Sequence, residues 1–193
     1  MKPIPLLTIL LATVSTASSQ PPIRAKLIGS PRLGRPAPAL VLPYTPPECR
    51  VPSPECRGPS AEFRIANELG RVIIVAFGGR PDAALTIDWA ALSKRADSLG
   101  SPRVVLVGVL RAGPEQAAAL SASLGGSLKI LADSGGRVHR QFGVGDRDRD
   151  WTIFVVADDG TLVARERVNT LADGGWWAVV APAIRRGFTA AGR

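Results

Sequence analysis

Cysteine is nearly absent: the chain has two, Cys49 and Cys56, and none follows them. It has one histidine, one tyrosine and one methionine. Two thiolates without further Cys or His ligands fall short of a closed zinc shell, so a metal site at the cysteines is the weakest of their uses. Aromatic residues make up 5% of the chain, and the arginines are scattered along it. A nucleic-acid surface needs a concentrated basic face with stacking aromatics or a known motif. The net charge of +8 is therefore read as that of a broadly basic protein, and no nucleic-acid partner is expected. No apolar run approaches the ~20 residues that cross a bilayer.

What the chain does have is enough apolar material for one core: 46% hydrophobic residues in 193, which fits a single domain. Lys2, the apolar run Leu6 to Val14 and the small residues Ala17-Ser18-Ser19 read as a secretory signal over 1–19, cleaved after Ser19. The alternative is an uncleaved interfacial anchor. No cysteine follows the run to carry a lipid, so the expectation is a periplasmic or secreted protein with no stable membrane insertion. Residues 20–33 form a Pro- and Arg-rich lead-in, and 34–190 the folded domain, with a Pro-rich insertion at 43–59.

The chain is organised around Arg71 to Leu85. Val72 to Phe77 is a continuous β-branched apolar run, the pattern of a strand buried on both faces of a parallel sheet. Gly78, Gly79 and Pro81 end it. Leu85, Trp89, Leu92, Ala96 and Leu99 then recur at helical spacing, sharing one face. A buried strand running into a helix N-terminus is where α/β folds place their chemistry. A thiol enzyme would hold a cysteine there, activated by the helix dipole; this chain holds none.

Both cysteines lie in a duplicated Pro-Glu-Cys-Arg, at 47–50 and 54–57. Prolines exclude a helix or an inner strand there. In an exported chain the pair reads first as one structural disulfide, Cys49–Cys56. Such a short loop restricts the unfolded chain by about 2.5 kcal/mol. A redox-active dithiol is the sharper alternative, but six residues separate the cysteines, and neither is held at a helix start as a stabilised thiolate.

A first strand is expected at Ala39–Leu42, and a short strand or helical turn within 61–70. A strand at Val104–Leu110 follows the Trp89 helix in a right-handed parallel crossover. Gly113-Pro114-Glu115 opens another helix, with Ala117, Leu120 and Leu124 toward the sheet. Leu128–Leu131 is a short strand, Ser134–Phe142 a short helix, and Thr152–Ala157 a strand. The Asp158-Asp159-Gly160 turn returns it antiparallel over 161–168. A last helix, about 173–188, carries Trp176, Val179, Val180 and Ile184. Trp176 is expected on the sheet and Trp177 at an edge facing a partner. The order is that of a thioredoxin-like α/β fold, a central mixed sheet flanked by helices in three layers.

Four blocks carry a resemblance: Gly34-Arg-Pro-Ala-Pro-Ala-Leu-Val-Leu42, Leu69-Gly-Arg-Val-Ile-Ile-Val-Ala-Phe77, the stretch from Leu131-Ala-Asp-Ser-Gly-Gly to Phe142-Gly-Val144, and Thr152-Ile-Phe-Val-Val-Ala-Asp-Asp-Gly-Thr-Leu-Val163. In order and spacing the chain resembles the redoxins, thioredoxin-like proteins of the alkyl hydroperoxide reductase and thiol-specific antioxidant (AhpC/TSA) group. The departures matter as much. The family's Cys-x-x-Cys pair would fall on Asp82 and Leu85, and its cis-proline near Trp151. Gly79, Arg80, Pro81, Asp82, Leu85 and Trp151 thus read as a vestigial active-site turn, with Asp82 as an N-cap and no catalytic residue carried over.

His139 is expected on the family's variable surface, solvated or partly packed, with a catalytic base or metal ligand as the alternative. Asp146-Arg-Asp-Arg-Asp150 imitates a calcium loop but has Trp151 where glycine is required and Ala157 where the closing Glu belongs. Gly78-Gly79-Arg80 is an alternative anion site, although the phosphate-loop lysine is missing. No metal or cofactor is expected. The resulting expectation is an exported redoxin-fold binding or scaffolding module of the cell envelope, with an unknown envelope protein as partner. The enzyme alternative is a thiol oxidoreductase or peroxidase working through Cys49 and Cys56.

Overall fold

The computed structural model describes residues 31–46, 49, 61–78, 83–145 and 150–188; the proposed signal segment lies outside them. The apolar run expected at the centre forms β3, Val72–Gly78, and all seven residues are buried. Helix α1, Ala83–Ser98, returns the chain to β4, Val104–Leu110. β4 lies parallel to β3, Val72 opposite Val104 and Gly78 opposite Leu110. Helix α2, Pro114–Leu124, starts on its proline and stops at Gly125, leading to β5, Lys129–Ala132, parallel to β4. A five-residue helix α3, Arg137–Gln141, precedes β6, Trp151–Val156. β6 runs antiparallel to β3 and turns at Gly160 into β7, Leu162–Val168. Helix α4, Gly175–Gly187, closes the domain.

At the other side stand β1, Val41–Tyr44, and β2, Ala61–Arg64, an antiparallel pair. A single 3-10 turn, Ile65–Glu68, leads from β2 toward β3. The seven strands run in the order β2-β1-β5-β4-β3-β6-β7. Two expectations at β1 are corrected. The strand starts at Val41 rather than Ala39, and Pro43, expected to begin the Pro-rich insertion, sits inside a strand with neighbours on both sides. β1 meets β5 only through Tyr44 and Leu131, so the missing N–H of Pro43 interrupts little of a ladder.

Alternation along β3 divides the core between two faces. Val72, Ile74 and Ala76 pack with Trp89 and Leu92 of α1, Ala117 of α2, and Trp176 and Val180 of α4. Ile73, Val75 and Phe77 pack with Leu42, Phe63, Val138, Phe142 and Phe154 on the other. In α4, Val179 is 48% exposed, whereas Val180 and Ile184 are buried. Trp176 is buried as expected, while Trp177 is partly covered, its ring under the Arg95 guanidinium at 4.6 Å.

The interior fit is tightest where Trp89 crosses β4. A Cβ placed on Gly108 would lie 2.3 Å from the Trp89 ring, so only glycine lets the indole rest on the strand backbone. Gly108→Ala is expected to destabilise the fold by about 1–3 kcal/mol, the usual range for overpacking a core. A urea-unfolding midpoint matching the wild type's would show that the helix rides over the strand more loosely than this.

Candidate functional site

The site expected from the sequence lies where β3 ends. Gly78 is its last residue, and two tryptophans from different elements converge on it. Trp89 comes from α1 and Trp151 opens β6; their rings meet edge to face, centroids 4.8 Å apart. A Cβ on Gly78 would lie 2.8 Å from either ring. The position at which the resemblance places proline is thus filled by a fully buried indole.

Trp151 is fixed by a carboxylate outside the residues expected at the site. Asp88, 5% exposed, accepts from Trp151 Nε1 at 2.8 Å. It also accepts from Thr170 Oγ1 at 2.5 Å, Leu171 N at 2.7 Å and Ala172 N at 2.9 Å. One side chain therefore ties α1 to β6 and to the loop before α4. Its signal was in the sequence: Asp88 stands three residues after Leu85 and four before Leu92, on the buried stripe of the helix, where a charged group needs partners.

On the other face of the sheet the same strand end is held by the histidine. His139 is 1% exposed and Asp133 3%, which corrects the surface position expected for His139. Its Nδ1 lies 2.8 Å from Asp133 Oδ2, and its backbone N–H donates to the same oxygen at 2.9 Å. Its Nε2 lies 3.1 Å from the carbonyl oxygen of Gly78. The ring stands edge-on to Phe77, centroids 5.0 Å apart. The chain reaches this pocket because Gly136 takes up φ 61° at the start of α3. Burial pushes the Asp133 carboxyl up, but other effects outweigh it: the hydrogen bond from the His139 ring, those from the backbone of His139 and Val138, and the electrostatic pull of the ring. The net result holds it below the ordinary aspartate value.

Of the remaining site residues, Cys49 is disulfide-bonded, and its N–H donates to Pro46 O at 2.9 Å. Cys56, Gly79, Arg80, Pro81 and Asp82 lie outside the described residues, as does most of the Asp146–Asp150 loop. Leu85 lies in α1. Trp89 Nε1 and Thr152 Oγ1 are buried without a hydrogen-bond partner, Thr152 directly across the ladder from Phe77. Beside the loop held by Asp88, a cavity of about 290 Å³ opens between α1 and α4, lined by Lys94, Arg95, Leu171, Gly174 and Trp176 among others.

Two substitutions test these buried acids. Asp88→Ala strands an indole N–H and two backbone N–H groups, and a loss of about 3 kcal/mol or more is expected from unsatisfied buried donors; an unchanged melting temperature would contradict it. Asp133→Ala breaks a buried pair, expected to cost about 3–5 kcal/mol. Because the folded state lowers the Asp133 value, its stabilisation is complete above about pH 4, the unfolded value, and is lost as pH falls through the folded one. The acid limb of the stability curve should therefore flatten in Asp133→Ala. An acid limb as steep as the wild type's would refute the assignment.

No protein-family model matches this sequence, and no curated protein does. Solved structures do match the fold. A Chlorobium tepidum protein assigned as the thiol:disulfide interchange protein DsbE aligns over 80% of this chain and 99% of its own, at TM-score 0.61 and 15% identity. Peroxidoxin BcpB of Mycobacterium tuberculosis aligns over 82% and 99%, at TM-score 0.61 and 16% identity. The bacterioferritin comigratory protein of Xanthomonas campestris, whose alkyl peroxide reduction has been studied, aligns over 76% and 92%, at TM-score 0.58 and 15% identity. At such identities the likeness establishes the fold. The chain has the thioredoxin-like α/β fold seen in these redoxins.

Proposed function

We propose that this chain is an exported thioredoxin-fold binding module that carries out no thiol chemistry at its β3–α1 turn. The observation that carries the reading is the packing at Gly78. Where a redoxin would need a sulfur atom beside an open turn, this chain has no cysteine after Cys56. It instead closes the strand end with the Trp89–Trp151 pair, braced by Asp88. A thiolate needs a proton acceptor or a helix dipole next to sulfur; here Asp88 is taken up by an indole, a hydroxyl and backbone N–H groups, and Asp133 and His139 by each other and by backbone.

Residues 1–19 act as the secretory signal in this reading, and the mature module works in the cell envelope. Among the described residues no helix is long and apolar enough to cross a membrane. The partner is a protein, met on the face around the β3–α1 turn.

The second reading, a thiol–disulfide or peroxide-reducing enzyme working through Cys49 and Cys56, draws on the likeness of the fold to thiol:disulfide interchange and peroxide-reducing proteins. The two readings separate in one experiment. Insulin reduction and hydroperoxide consumption are measured on the wild type and on Cys49→Ser, with neither protein expected to exceed the uncatalysed rate. Turnover by the wild type that disappears in Cys49→Ser would move the chain to the enzyme reading.

A further inference from the structure

The contacts of His139 fix more than its position. Asp133 Oδ2 and the Gly78 carbonyl oxygen lie 2.8 Å and 3.1 Å from the two ring nitrogens. A backbone carbonyl has no proton to give, and an ionised carboxylate only accepts. A neutral imidazole carries one N–H, so in either tautomer one of these contacts would set a lone pair against a lone pair. Both are hydrogen bonds only when both ring nitrogens are protonated.

We propose that His139 is held as an imidazolium, ion-paired to Asp133, and acts as a proton-operated latch on the last carbonyl of β3. The counter-charge is local. Among the described residues, Phe77 stands edge-on to the ring and Gly78 meets it through its carbonyl, with Thr152 and Phe154 against Phe77, none of them ionisable. The other charged groups nearby are Arg111 after β4, Arg137 and Arg140 on α3, and Arg165 of β7, which lies 5.5 Å over the Phe154 ring and donates to the Gly143 carbonyl. Arg140 Nη1 and Arg111 Nε lie 3.3 Å and 3.5 Å from where a Cβ would stand on Gly136. These guanidiniums donate to the carbonyls of Gly135, Val144 and Gly145. Their charge opposes an imidazolium, which among the described residues leaves Asp133 as the group that sustains it.

Loss of the ring proton acts unequally on the two contacts. Asp133 also holds the backbone N–H of His139, so the Nδ1 proton stays with the carboxylate. The Nε2 contact is the one released, freeing the Gly78 carbonyl at the head of the turn. The latch stands on its own geometry; only an effect on partner affinity rests on the proposed binding role.

The chain's single histidine makes the test direct. In ¹⁵N,¹³C-labelled full-length protein, long-range ring correlations at neutral pH should show protons on both nitrogens. As pH is raised, Nε2 should lose its proton while the Gly78 carbonyl ¹³C resonance moves upfield along the same titration curve. A neutral tautomer at pH 6–7, or a Gly78 signal indifferent to the titration, would overturn the proposal. Asp133→Asn preserves side-chain shape and should leave the ring neutral at neutral pH; a persisting imidazolium there would also overturn it. The wild-type titration decides the matter even if that variant does not fold.

Discussion

The end of β3 is gripped from both faces of the sheet, and each grip uses different chemistry. On one face two indoles close over Gly78, and their position depends on the Asp88 carboxylate, which collects four donors from two parts of the chain. On the other, the ring of His139 reaches the Gly78 carbonyl while leaning on Asp133. Both acids are buried, and a buried charge persists only when its partners are in place. The conformation of the strand end is thus coupled to α1, β6, the loop before α4, and the β5–α3 connection together.

Much of this architecture was legible in the residues. The β-branched run of β3, the helical spacing through Trp89 and Leu92, the proline that opens α2 and the Asp-Asp-Gly turn each state a local preference that the fold then obeys. The four blocks of redoxin likeness placed those elements in one order. Pro43 was misread because proline weakens a strand only where its N–H is required, and that depends on register, a tertiary quantity.

The buried polar groups were harder to see. Sequence gives the type of a residue but not its depth, and a lone histidine on a short helix is more often solvated than enclosed. His139 became a core residue because Gly136 turns the chain inward and Asp133 waits six positions earlier to receive it. Asp88 was nearer to being readable, since its place on the apolar stripe of α1 contradicts its charge. That contradiction marks a polar anchor when the surrounding stripe is otherwise consistent.

The strand order also bears on how another molecule can approach. The sheet's two outer strands are β2 and β7. β2 is only four residues long and includes Glu62 and Arg64, while β7 carries Arg165, Glu166 and Arg167 in succession. A very short margin on one side and a charged one on the other discourage a foreign strand from adding to the sheet. Association by edge-on sheet extension, whether useful or amyloid-like, is disfavoured in this domain.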